Sequence, residues 1–303
     1  MWLRLLCAAF LAWALAAPSL GVAGGNADAP GTPDAFATAL DRFGLSLLRE
    51  LSADAGDGNV LVSPLSIAVA LSMVAEGAER PARDAIAATL GLEGQPAEVT
   101  ARAMADFLRR LRRTANGGGE VTFTAANGIW TAPGLDVYPA FIEALELRFE
   151  AEPRTLDFAD SGAAGEINAW VAEATRGMIP EIVGTLSPDT AMVLANALYF
   201  KGRWTNPFDP AETANRPFTN AQGVTADVPT MMLSNTRLMY REDAWSQAIE
   251  LPYGDGGFSM RIVLPKDAGM GLGTLVERAL ADGAALTGEG FREIEGTLAL
   301  PRF

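Results

Sequence analysis

The sequence predicts an α+β fold in one domain, and three observations carry that expectation. Early in the chain, helical periodicity dominates: Phe36, Leu40, Phe43, Leu47 and Leu51 recur at threes and fours. Late in the chain, strand-like runs follow one another at Leu238-Met239-Tyr240, Ser246 to Leu251 and Phe258 to Leu264. The last two are joined by the turn Gly254-Asp255-Gly256-Gly257, which reads as a hairpin. Between these regions lies Ala191 to Trp204, AMVLANALYFKGRW, a nearly unbroken apolar run with Asn196 set inside it. It is too short to cross a bilayer, which takes about 20 residues. Val193, Tyr199 and Phe200 favour a strand buried on both faces, the central strand of a large sheet. A buried Asn there must find partners, so Asn196 marks a point where other segments converge. With no internal repeat, mixed helices and antiparallel hairpins indicate α+β architecture.

Composition narrows the function classes. The chain has 303 residues, 49% hydrophobic and 20% charged, enough for a substantial core. Its formal net charge of −14 argues against nonspecific nucleic-acid or anionic-membrane binding. There is no histidine, which excludes Ser-His-Asp and Cys-His arrangements within the chain. Only two lysines occur, Lys201 and Lys266, leaving little room for Schiff-base or Ser-Lys chemistry. The usual zinc ligand sets are gone as well, and no cofactor motif is complete. Gly269-Met270-Gly271-Leu272-Gly273 lacks the third glycine of a dinucleotide turn, because position 274 is Thr. Carboxylate-pair chemistry is not excluded by counting.

Residues 1–23 read as a signal peptide, with Arg4 before the apolar run Leu5 to Ala17 and small residues at Ala14 to Ala17 and Gly21 to Ala23. The alternative is an uncleaved anchor. Cys7, the only cysteine, lies in this segment, so the mature protein is expected to be secreted or periplasmic and free of disulfides. Residues 24–35, rich in Gly, Ala and Pro, read as a flexible leader.

From there the elements are expected in order. A helix over Asp34 to Leu51 is followed by a short strand at Asn59 to Val62. Ser63-Pro64 opens a core helix that stops at Gly77, with Ser at the cap and Pro in the first turn. A helix from Pro81 ends at Gly91, and another runs from about Glu98 to Arg113. Asn116 to Gly119 reads as a loop, and a strand runs from Val121 through Ile129-Trp130. Pro139 starts a helix with Phe141, Ile142, Leu145 and Phe149 inward. A short strand is expected near Thr155 to Phe158, then a long helix over about Ala163 to Met178. After Trp204, Pro207, Pro210 and Pro217 mark an irregular region. A helix over about Thr274 to Leu286 and a strand over Thr297 to Leu300 close the series.

Several of these segments, in this order, resemble the serpin family over residues 36–303. Asn59-Val60-Leu61-Val62-Ser63-Pro64-Leu65-Ser66-Ile67 and Gly77-Ala78 are similar to the start and end of the family's second helix. Ile167-Asn168-Ala169-Trp170-Val171 with Thr175 resembles the helix that crosses its main sheet. Asn196 to Trp204, with Phe208, is the most diagnostic segment. Val228 to Met232, Glu250-Leu251-Pro252-Tyr253, Val263-Leu264-Pro265 and Leu300-Pro301-Arg302-Phe303 complete the set. One departure is Glu79-Arg80-Pro81-Ala82, where the family usually has a Thr.

The resemblance implies a large central mixed sheet, further antiparallel sheets and about eight helices. It implies an inhibitor of serine, less often cysteine, proteases rather than an enzyme. In that mechanism a protease cleaves an exposed reactive loop, which inserts as a strand into the main sheet. The family's reactive loop and last strands lie beyond Phe303, so these residues alone are expected not to trap a protease. A noninhibitory serpin with a binding or chaperone-like role is the alternative. The family also places Ser63, Ser66 and Asn196 at the gate where the sheet opens. Read from residue types alone, Ser63 caps a helix and Asn196 is a satisfied core amide. Trp204 would pack at the top of the sheet, as a core aromatic in either case. Arg102, Arg109, Arg110, Arg112 and Arg113 form a basic cluster on a helix that binds sulfated polysaccharides in some members; otherwise they are a solvated face.

Overall fold

The computed structural model describes residues 33–55, 58–220, 223–267, 269–282 and 289–302. The signal-peptide reading, nearly all of the leader, the last residues of the helix expected to reach Leu286, and Phe303 lie outside the described residues. Among the described residues, seven α-helices and a 3-10 turn (Pro210–Glu212) accompany eight strands in two sheets.

The helices open the chain. They are α1 (Pro33–Ala55), α2 (Pro64–Gly77), α3 (Arg80–Thr89) and α4 (Ala97–Gly118), followed later by α5 (Pro139–Phe149), α6 (Ala163–Ala174) and α7 (Leu272–Asp282). Ser63 caps α2 by accepting from the Ser66 N–H at 3.4 Å, with Pro64 in the first turn. The expected loop at Asn116 to Gly119 is instead mostly helix. Ala115 is buried and anchors the last turns of α4, which ends where Gly119 turns left-handed at φ 71°.

The first sheet has three strands in the order β2-β1-β3: β1 (Val121–Thr131), β2 (Ala151–Thr155) and β3 (Met192–Gly202). Strand β1 pairs parallel with β2 and antiparallel with β3 along its whole length. This corrects the expectation that Ala191 to Trp204 forms the central strand. Among the described residues the centre is β1, and β3 has one neighbour. The apolar run encoded coverage of both faces rather than two strand partners. On one face Leu194, Leu198 and Phe200 pack toward the main core with Leu65, Val69 and Met73 of α2. On the other, Ala195 and Ala197 lie against Ile167, Trp170 and Val171 of α6. Trp130 meets Trp170 edge to face at 5.2 Å. Gly128 has to be glycine here, because a Cβ would collide with the Trp130 ring.

Two further expectations need correction. Asn59 to Val62 joins no ladder among the described residues. Its alternation reflects Val60 and Val62 packing near Leu45, Leu48 and Val276, while Leu61 points to solvent. The strand expected near Thr155 to Phe158 ends at Thr155. Leu156 and Phe158 are buried beside α6 and Trp130, beyond the strand itself.

The second sheet has five strands. Its path is β4 (Ala214–Thr219), β5 (Thr225–Glu242), β6 (Ser246–Tyr253) and β7 (Phe258–Pro265), with β8 (Arg292–Pro301) pairing along β5. Strand β5 is 18 residues long and shifts register between Leu233 and Thr236, where Asn235 adopts φ 49°. The region marked as irregular by its prolines therefore contains β4 and the first half of β5. Pro217 is tolerated because β4 is an edge strand among the described residues. The interior of this sheet is apolar, built on Leu233, Leu238, Leu251, Leu264, Leu298 and Leu300.

Candidate functional site

Alternation along β1 and β3 brings the site together. In β1, Val121, Phe123, Ala125, Asn127 and Ile129 share the face that meets the main core. In β3, Leu194, Asn196, Leu198 and Phe200 share the same face. The antiparallel register sets Asn127 directly opposite Asn196. The first turn of α2 lies over that pair.

The polar groups form a relay across three elements. Ser66 Oγ donates a short hydrogen bond to Asn196 Oδ1. Asn196 Nδ2 donates to Asn127 Oδ1 at 2.8 Å and more weakly to Ala126 O at 3.4 Å. Asn127 Nδ2 donates to Phe149 O at the end of α5, at 2.6 Å. Asn127 is almost completely buried, at 1% exposure, and both its amide nitrogen and its amide oxygen find a partner inside the protein. Ser66 and Asn196 thus meet, whereas Ser63 stays exposed at the helix cap. Asn127 was not singled out, although the strand expected from Val121 through Ile129-Trp130 contains it. Counting by twos from Val121 places it on the buried face, which was the available signal.

The end of β3 is built differently. Trp204 stacks on Tyr253 with centroids 4.2 Å apart and rings within 14° of parallel. Phe208 meets Trp204 edge to face at 6.2 Å, and Phe200 meets Tyr253 at 5.2 Å. Trp204 packs against the cores of both sheets. The backbone fixes this junction: Arg203 N donates to Glu120 O at 3.1 Å, Gly254 N to Arg203 O at 2.8 Å, and Thr205 N to Pro252 O at 2.9 Å. Gly202 lets the chain pass Tyr253, since a Cβ there would sit 2.8 Å from the ring. Burial pushes the Tyr253 phenol up to about 12.

The arginines of α4 divide into two sets. Arg112 pairs with Glu150 and donates to Ala125 O at 2.8 Å, and Arg110 lies over the Phe107 ring at 5.4 Å. Arg102, Arg109 and Arg113 share one exposed side, spread over roughly 16 Å of helix. Arg109 is paired with Asp106 on that same side. No group of acidic or cysteine side chains suited to a metal ion occurs among the described residues. No described helix is long and apolar enough to cross a membrane.

Comparison with known proteins agrees with this architecture. Residues 38–303 match the family model described as Serpin (serine protease inhibitor). Serpin-Z7 of Hordeum vulgare is 34% identical over 277 residues, covering 86% of this chain and 69% of that protein. Serpin-ZXA of Oryza sativa subsp. japonica is 36% identical over 249 residues, covering 78% of this chain and 62% of that protein. A solved structure described as cleaved Serpin 42Da superposes with TM-score 0.80 at 29% identity, covering 88% of this chain and 71% of that one. The chain belongs to the serpin family, and it spans about two thirds of the length of these relatives.

Proposed function

We propose that this chain is the body of an exported inhibitor of serine proteases that works by loop cleavage and strand insertion. The observation that carries the reading is the relay Ser66–Asn196–Asn127 beneath a strand that has one strand neighbour among the described residues. Strand insertion requires an edge that can accept a new partner. It also requires an interior contact that can be exchanged without leaving polar groups stranded. A hydroxyl and two amides meet that need, because each can donate and accept. In this reading β3 is one wall of the receiving slot and α2 is the surface beneath it. Trp204 holds the top of the strand in place while its middle parts from its neighbours. The protein partner is a serine protease, no catalytic chemistry is assigned to the chain, and no cofactor is required.

The test is incubation of the protein, expressed from its complete gene, with a panel of serine proteases. A protease-containing band that survives a denaturing gel supports the reading. Cleavage without such a band favours a noninhibitory serpin with a binding or chaperone-like role.

Export rests on the pattern of residues 1–23. Amino-terminal sequencing of secreted or periplasmic material is expected to begin after Ala16 or Ala23. The side of α4 bearing Arg102, Arg109 and Arg113 is the surface suited to a sulfated polysaccharide. Salt-dependent retention on heparin that is lost in Arg102→Glu/Arg113→Glu supports that assignment, and flow-through of the unaltered protein overturns it.

A further inference from the structure

Away from this site, one small cavity gathers polar atoms that the fold leaves without partners. It lies where α2, α3 and α4 meet, has a volume of about 20 Å³, and is lined by Ser72, Glu76, Arg83, Ile86, Leu90 and Thr100 among others. Ser72 Oγ, Arg83 Nε and Thr100 Oγ1 are each shut off from solvent and each lack a hydrogen-bond partner. Ser72 itself is only 3% exposed. Buried polar groups are nearly always satisfied, so three orphans lining one cavity point to a ligand that satisfies them together.

We propose that this cavity is the binding site of a single ordered water molecule shared by Ser72, Arg83 and Thr100. The space exceeds the roughly 10–15 Å³ that one water needs, and three polar partners is the usual number for a buried water. Arg83 Nε–H donates to the water oxygen, and the two water hydrogens go to the Ser72 and Thr100 hydroxyl oxygens. A small anion is a poorer match, because the Glu76 carboxylate lines the same cavity. The water has a structural task. Helix α3 has no buried residue of its own. Its hold on the protein rests on the half-buried Ile86 and on Arg83 Nη2, which donates to Ala78 O at 2.7 Å. A bridging water ties the other face of the same guanidinium to α2 and α4, so that α3 is pinned from both sides.

The test is a crystal structure of the full chain at a resolution where waters are ordered. One peak within hydrogen-bonding distance of all three atoms is expected. An absent peak overturns the proposal, as does an anomalous bromide signal at that position in soaked crystals. In solution, Ser72→Ala/Thr100→Val is expected to raise amide exchange in α3 on the order of tenfold, the effect of losing one hydrogen-bonded link. Unchanged exchange in α3 removes the pinning role. If the double variant fails to fold, Thr100→Val alone keeps the shape of the cavity and is expected to give the same change, smaller.

Discussion

The middle and the end of β3 are held by opposite kinds of interaction. At Asn196 the strand is fastened by hydrogen bonds reaching α2, β1 and, through Asn127, the end of α5. At Trp204 it is fastened by stacked rings that belong to the cores of both sheets. Hydrogen bonds are directional and their partners can be exchanged, and their net worth is about 1 kcal/mol each. Aromatic burial has no comparable alternative partner and is worth more. One strand thus carries an anchored end and a middle whose contacts can be traded, which is the arrangement the proposed strand insertion would use.

The largest effect is expected at the anchored end. Trp204→Ala should cost about 3 kcal/mol, toward the low end for loss of an aromatic ring because Trp204 is half-buried. Denaturant unfolding with an unchanged slope measures it; unchanged stability would mean the rings do not join the sheets.

Asn127→Ala comes next, at about 2 kcal/mol, because it strands Phe149 O and removes the main partner of Asn196 Nδ2. If the relay is the exchangeable element, this variant should also speed protection loss in β3 more than in β6. Equal loss in both strands would erase the distinction between middle and end.

The Tyr253 phenol adds a pH dependence to the anchored end. Its folded value of about 12 lies above the ordinary 10, so the folded state holds its proton more tightly than the unfolded chain. That stabilisation is fully present below pH 10 and is lost as pH rises from 10 toward 12. Unfolding measured across this window should show a decline that Tyr253→Phe reduces. The Tyr240 phenol is also raised, so part of the decline remains in the variant.

The smallest effects separate the two serines. Ser66→Ala should cost about 1 kcal/mol and act on the relay, since Asn196 Oδ1 loses its donor. Ser63→Ala should cost about 0.5 kcal/mol, because its capping bond is long and exposed. Its influence should stop at the first turn of α2. A larger effect from Ser63 than from Ser66 would mean that the cap, rather than the relay, carries the contact between α2 and β3.

The sequence by itself determined the family, the hairpin, most of each helix, and that other segments converge on Asn196. Each has a local signature: periodicity at threes and fours, glycine turns, caps, or a polar residue stranded in an apolar run. The prolines at 207, 210 and 217 hid β4, because a proline that breaks a central strand is harmless on an edge strand, and only pairing tells these apart. Only the tertiary structure decided that, among the described residues, β1 rather than β3 is the centre of its sheet. Apolar residues report what covers a strand's faces and say nothing of its edges. It also decided that Asn127 completes the relay with Asn196. The two residues are 69 positions apart, and the antiparallel register alone sets them face to face.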